Sequence, residues 1–431
     1  MSRRPGSVRA PAAGRALAAG GARRAACAPT AVLFAGGLLG VGFLVPVTPY
    51  AGWAAAMSPD PTAVYRVYVG AESADLLHRI RFGPEGGEVE ASIPVSDLYR
   101  QSPVPELFTE SEAPHGVAVD PDREAVYMTT GHGLPDGKLW KVEAGTGRLL
   151  GGPLDLGRFP ASVAVSPDGR FVSVANFNLH GEMSPSSVSV VFAQGMTELA
   201  RIETCTMPHG SRFHPNGRHH YSVCMMDDQL VEIDLGRMEV SRRFFLGDGE
   251  EGPLPPGDRG FHVLAASGPG GHRGHQEGPG HYQASCSPTW VQPAPDGARH
   301  YVACNGSDQV LEIDYSSWEV TGRFATGRGP YNLDVTPDGR VLVVTLKQGD
   351  GVEFIDLEAR EVISREATSI RVVHGVALSP DSRYAFVSVE GVGSEPGRVE
   401  VYDLGDFRRV AEVEVGQQAS GIAFWTMDPA P

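Results

Sequence analysis

One phrase recurs along this chain, an apolar triplet followed by Pro-Asp-Gly or a near variant and then a β-branched run, and its period decides the architecture before any single residue is weighed. The copies read PHGVAVDPDREAVYMTT from Pro114, PASVAVSPDGRFVSVAN from Pro160, PHGSRFHPNGRHHYSVC from Pro208, PTWVQPAPDGARHYVAC from Pro288, PYNLDVTPDGRVLVVTL from Pro330 and VHGVALSPDSRYAFVSV from Val373. Each holds two short alternating apolar segments. The turn between them supplies the fixed φ of proline and a residue tolerant of positive φ, which is what a tight hairpin needs. Behind four of the copies come LVEIDLGRMEVSRRFFLG, VLEIDYSSWEVTGRFATG, VEFIDLEAREVISREAT and VEVYDLGDFRRVAEVEV, two more alternating runs around a polar turn. Each unit therefore has four strands. Successive starts, at His115, Ala161, His209, Thr289, Tyr331, His374 and Ser420, lie 42 to 48 residues apart except for one interval of 80. That period matches propeller blades, and the long interval marks an insertion.

The last copy, ASGIAFWTMD from Ala419, contains only a first strand, whereas residues 63–95 read as second, third and fourth strands with no first. The two ends therefore share one blade. The prediction is an all-β protein, a seven-bladed β-propeller of four-stranded blades over residues 63–427 with no free sheet edge. Through its SPDGRFVSVAN and NGSDQVLEID phrases and their spacing the chain resembles the YVTN-repeat family of seven-bladed propellers. That resemblance implies the fold and leaves function open, because such propellers include binding proteins, surface proteins and enzymes. The length of 431 residues fits a single domain of this kind.

Residues 1–56 stand apart. They carry Arg3, Arg4, Arg9, Arg15, Arg23 and Arg24, no acidic residue, the apolar run AVLFAGGLLGVGFLV from Ala31 to Val45, and Ala54, Ala55 and Ala56. This pattern predicts a secretory signal peptide, with an uncleaved N-terminal anchor as the alternative, and hence a secreted or periplasmic protein. Loss of the six arginines takes the net charge from −16 to −22. So acidic a surface argues against nucleic acid and anionic membranes as partners.

Four cysteines follow the leader. Cys205 and Cys286 precede first strands, and Cys224 and Cys304 end the second strands that follow, at separations of 19 and 18. In an antiparallel pair the start of one strand faces the end of the other, so disulfides Cys205–Cys224 and Cys286–Cys304 suit an exported protein. Thiolate metal ligation is the competing reading, since paired cysteines near histidines also hold soft metals.

In a propeller the first strands line a central channel, and their starts share a rim with the second-strand exits. Three of the seven starts are histidine: His115, His209 and His374. The exits add His132, Asn176, Asn178, His180, Cys224, Met225, Met226, Asp227, Asn305 and Glu390 near the same rim. Imidazoles converging on a wet funnel would suit copper or zinc, with His115, His209, His374, His132, Cys224 and His180 as the candidate ligands, or would serve as general acid and base. The competing reading is that each His-Gly pair hydrogen-bonds the neighbouring blade and locks the ring. The insertion at 248–285 is rich in Gly and Pro and carries His262, His272, His275 and His281; it reads as a lid or as a solvated loop. His214, His219, His220 and His300 flank hairpin turns toward the opposite rim and are expected at the surface. Trp140 and Trp318 are expected between blades. GHGLPDGKL from Gly131 lacks phosphate-loop spacing, and no Gly-x-Ser-x-Gly elbow occurs.

Three functions remain. The first is an exported, monomeric binding protein that holds a small ligand or a metal ion in the funnel. The second is an enzyme: the His-Gly phrase looks like that of the streptogramin lyases, and related propellers include lactonases. The lyase resemblance implies a His and a Glu converging with a divalent cation, for which His374 and Glu390 are the same-blade candidates. The third is a scaffold whose rim docks another exported protein or a cell-surface polymer.

Overall fold

The computed structural model describes residues 61–108, 111–131, 134, 136–181, 183–260 and 283–429. The leader at 1–56, His132 and the four histidines of the insertion lie outside these residues. The rest form seven antiparallel sheets, six of four strands and one of five. Blades 1 to 6 begin with first strands Val117–Val119, Pro160–Val165, Pro208–Phe213, Pro288–Pro293, Pro330–Val335 and Val373–Leu378. Blade 7 takes its first strand, Ala419–Pro429, from the C-terminal end and its other three, Ala63–Ala71, Leu76–Gly83 and Gly86–Pro94, from the N-terminal side, in the order predicted. The fifth strand of blade 3, Gly252–Pro253, is the first part of the insertion laid along the outer edge. Among the described residues no helix is long and apolar enough to cross a membrane.

Alternation along the middle strands puts one apolar face against each neighbouring blade. The resulting clusters join residues from adjacent blades, as where Tyr65, Ile80 and Phe82 of blade 7 meet Tyr384, Phe386 and Val401 of blade 6. Trp140 and Trp318 are buried between blades as expected.

Two repeated devices aim the first-strand starts at the axis, and neither is visible in the repeat phrase. The residue two places before each start, Ala113, Phe159, Met207, Ser287, Gly329, Val372 and Gln418, has a positive φ in all seven blades, although only one of them is glycine. An L-residue in that conformation must be held by its surroundings. In four blades an aspartate from the preceding blade does the holding: its carboxylate accepts the backbone N–H of Ala113 (Asp75), Ser287 (Asp228), Gly329 (Asp308) or Val372 (Asp350), at 2.6 to 3.1 Å. The register then slips at the first few residues of the strand in blades 2 to 6. Such a bulge re-aims a side chain that regular pairing would lay against the sheet.

Both predicted disulfides are present, Cys205–Cys224 and Cys286–Cys304. This corrects the assignment of Cys224 as a metal ligand, because a sulfur bonded to sulfur offers no thiolate. With separations of 19 and 18 residues, each crosslink should contribute about 3 kcal/mol, mainly by restricting the unfolded chain. Replacing Cys286 and Cys304 together by serine should therefore lower the equilibrium unfolding free energy by about that amount, read from urea titrations with and without reductant. The reductant should lower the wild type further and leave a quadruple variant unchanged.

A second correction concerns the opposite rim. His214, His220 and His300, expected at the surface, are buried at 5 %, 0 % and 0 % exposure. His220 and His300 occupy the second-strand position that blades 2 and 5 fill with Val172 and Leu342, so they pack as core residues. Burial pushes both imidazoles down to about 3, so they are neutral at ordinary pH.

Candidate functional site

These starts bring together side chains that are far apart in the chain. His115 of blade 1 and His374 of blade 6 lie edge to face, ring centroids 5.2 Å apart. The Tyr331 hydroxyl of blade 5 sits 3.3 Å from His374 Nε2 and 3.0 Å from His209 Nε2 of blade 3. His209 Nδ1 is 2.8 Å from the Thr289 carbonyl of the next blade. A carbonyl can only accept, so Nδ1 carries the proton and Nε2 does not. Tyr331 has a single hydroxyl proton and therefore gives it to His209, and His374 Nε2–H donates to the tyrosine oxygen. The result is a directed chain of hydrogen bonds across the axis, His374 to Tyr331 to His209 to Thr289.

The sequence suggested a wet funnel; the structure shows a plug. His115, His209, His374 and Tyr331 are 7 %, 2 %, 2 % and 8 % exposed. Desolvation brings His209 down to about 4, the Lys347 ammonium reinforcing the effect. It also holds His374 well below its ordinary value, with Lys347 and the neighbouring imidazoles adding to it. Both rings are neutral at pH 7. His209 thus does what the locking alternative expected, tying blade 3 to blade 4. The glycines that follow serve the same end: a Cβ at Gly210 would lie 2.5 Å from the Thr289 carbonyl, and one at Gly116 3.2 Å from that of Ala161.

Above the plug lies an arc of charge. His374 Nε2 is 3.9 Å from Glu390 Oε1, and His115 Nε2 is 3.9 Å from Glu72 Oε1. Lys347 Nζ binds Glu390 Oε1 at 2.7 Å and stands 4.3 Å from the centroid of the Tyr331 ring. Burial would lower the Lys347 pKa, but Tyr331 and Glu390 outweigh it and leave the ammonium raised and charged. Burial pushes Tyr331 up to about 12. Lys347 and Glu390 keep part of their side chains exposed, at 28 % and 14 %, and so form the accessible edge of the arc. Facing them from blades 2 and 3 is an apolar cluster of Phe159, Ala161 and Phe177 with Leu179, Met207 and Met225. This end of the channel is therefore amphipathic, charged on the side of blades 5, 6, 7 and 1 and apolar on the other.

Of the candidate site residues, the structure brings His115, His209 and His374 together on the axis and sets Glu390 beside His374. It does not bring His180 in; that residue is exposed on the loop after the second strand of blade 2. His132 lies outside the described residues. Among the described residues no three His, Cys, Asp or Glu side chains converge as a metal site. The copper or zinc reading thus loses Cys224 to a disulfide. Sequence reasoning missed Lys347 and Glu72. A signal was available, since both occupy the same second-strand exit position as Glu390, and aligning the exits as well as the starts would have exposed them.

No family model matches the chain. Among curated proteins it is similar to protein NirF of Pseudomonas aeruginosa, 26% identical over 237 residues that cover 54% of this chain and 52% of NirF, so the chain spans about half the length of that relative. Among solved structures it is similar to hydrazine synthase of Kuenenia stuttgartiensis, with a TM-score of 0.54 and 22% identity over 74% of this chain and 91% of that one. The likeness to that structure is one of fold.

Proposed function

We propose that this protein is an exported propeller of the YVTN-repeat kind that binds a small polar organic ligand at the imidazole end of its channel, over the arc of Glu72, His115, His374, Glu390 and Lys347. One observation carries the reading: the accessible ammonium and carboxylate of Lys347 and Glu390 sit beside the neutral imidazoles of His209 and His374, which are joined by the Tyr331 hydroxyl, opposite an apolar wall. Binding sites commonly combine a few convergent polar groups with apolar walls. Export is supported by two disulfides, which persist in oxidising compartments. A metal ion fits less well, because among the described residues no three donor side chains converge. A second reading as a lyase-type enzyme rests on the 3.9 Å approach of His374 and Glu390.

A thermal-shift screen of small organic anions, cations and zwitterions, alongside copper and zinc salts, tests the proposal on wild-type protein and the Lys347→Gln and Glu390→Gln variants. Expected is an organic compound that raises the melting temperature of the wild type and loses that effect in Lys347→Gln. A response to copper or zinc alone would favour the metal reading, and no response dependent on Lys347 or Glu390 would leave the plug a purely structural lock.

A further inference from the structure

A second polar group lies farther along the same channel. Three residues beyond each start, four of the seven blades carry alanine, whereas three consecutive blades carry Arg212, Gln292 and Asp334. At about 3.3 Å per residue these positions lie roughly 10 Å from the imidazole plug. A cavity of about 310 Å³ opens there, lined by Arg212, Asp334 and apolar side chains that include Val117, Val163, Val376 and Ile422, and it extends to Pro167 on a hairpin turn of the opposite face.

Arg212 is held but not neutralised. Its guanidinium stands 4.8 Å from the centroid of the Trp290 ring, and Nη1 donates to the Ser211 carbonyl at 3.0 Å. Asp334 is near enough to favour its charge, yet among the described residues no carboxylate comes within ion-pair distance of it. Asp334 in turn accepts the Val335 N–H at 2.9 Å, with no cation in ion-pair contact among the described residues. On the intervening blade the buried Gln292 Oε1 has no hydrogen-bond partner among the described residues. A guanidinium half-buried on an apolar channel wall without an ion-pair partner is costly to maintain. Nothing in the strand pattern requires it, since alanine serves at the same position in four blades.

We propose that this cavity binds a small aliphatic zwitterion of the α-amino acid type. Its carboxylate would pair with the Arg212 fork, its ammonium with Asp334, and its hydrocarbon body with the valine and isoleucine walls. Opposite charges held apart across an apolar space match a molecule that carries both, and the guanidinium suits a carboxylate in particular. The volume of about 310 Å³ lies at the small end of ligand pockets and suits a molecule of this size. This site is separate from the imidazole end.

Isothermal titration of the dialysed protein with leucine, isocaproate and isoamylamine tests the proposal. These probes share a branched hydrocarbon body and carry both charges, the carboxylate only and the amine only. Leucine should bind at least tenfold more tightly than either single-charge probe. Arg212→Gln should abolish leucine and isocaproate binding, Asp334→Asn should make those two equivalent, and Lys347→Gln, at the other end of the channel, should leave leucine binding at the Arg212 site unchanged. Arg212→Lys, which keeps the charge, should retain weakened leucine binding, and matching thermal melts show that each variant is folded. Failure of leucine to bind, equal binding of all three probes, or leucine binding that survives both Arg212→Gln and Asp334→Asn would overturn it.

Discussion

A chain ending at Gly416 is expected not to fold, whereas a circular permutant that joins residues 417–429 directly to residue 61 is expected to fold normally. The strand Ala419–Pro429 pairs along its length with Ala63–Ala71, from Ala63 opposite Pro429 to Ala71 opposite Ala419. It also packs against the blades on both sides of it: Ile422 joins Tyr384 and Phe386 of blade 6 in one cluster, and the Trp425 indole donates to the Arg123 carbonyl of blade 1 at 2.9 Å. Removing it leaves a full-length strand edge bare and strips the inner wall from two blade interfaces. A propeller depends on closure for the protection of such edges. In the permutant the order within blade 7 becomes the same as in every other blade, and Pro429 and Ala63 are already adjacent. Size-exclusion chromatography and far-ultraviolet circular dichroism distinguish the two chains. A monomeric, cooperatively melting truncation, or a permutant that aggregates, would contradict the closure described here.

Acid should remove much of the protein's stability before its exposed carboxylates are fully titrated. His209, His220, His300 and His374 are buried neutral, His209 at about 4 and His220 and His300 at about 3, with His374 also well below its ordinary value, desolvation being the leading cause in each. For a group whose folded pKa is depressed, the unfolded state takes up the proton first. The stability these imidazoles contribute is therefore complete above about pH 6.5 and is lost as pH falls toward the folded values. Each loses about 1.4 kcal/mol per pH unit in that window, so His209, His220 and His300 together would lose roughly 8 kcal/mol by about pH 4.5, and His374 acts in the same direction. Asp334 works in the other direction: burial raises it to about 6 despite the nearby Arg212, so protonation favours the folded state as pH falls. The net loss should still be several kcal/mol, a large share of a typical stability of about 5–15 kcal/mol. Urea midpoints at about pH 7.5 and pH 4.5 measure it. The double variant His220→Leu, His300→Leu, with the leucine that blade 5 uses at this position, should recover about half of the loss. Midpoints independent of pH, or a double variant as acid-sensitive as the wild type, would show that these rings are hydrated in the folded state.

The architecture was legible because a propeller writes itself into sequence as a period, and the shared blade showed as a lone first strand at one end matched by three orphans at the other. The disulfides were legible for the same reason, since strand start and strand end meet in any antiparallel pair. What the repeat could not show was depth. His220 and His300 look like turn-flanking polar residues, yet their place in the second strand faces a neighbouring blade. His115, His209 and His374 were placed correctly on the axis, but whether they line an open funnel or fill it depends on the left-handed residue before each start and on the bulges in blades 2 to 6. Phe159 and Val372 adopt that conformation without any glycine to announce it. Lys347 and Glu72 escaped because starts were aligned more carefully than exits. The zwitterion cavity escaped because Arg212, Gln292 and Asp334 resemble ordinary strand residues until seven strands are wrapped around one axis.

The central claim is that first-strand starts separated by up to 165 residues, as His209 and His374 are, meet across the channel through Tyr331. Long-range proton–nitrogen NMR of histidine-labelled protein, titrated for the wild type and for Tyr331→Phe, tests it directly. The account predicts a His209 ring protonated at Nδ1 and neutral down to about pH 4, with the loss of one hydroxyl shifting the Nε2 signals of both His209 and His374. Two imidazoles titrating near their ordinary value, with signals indifferent to Tyr331→Phe, would contradict it.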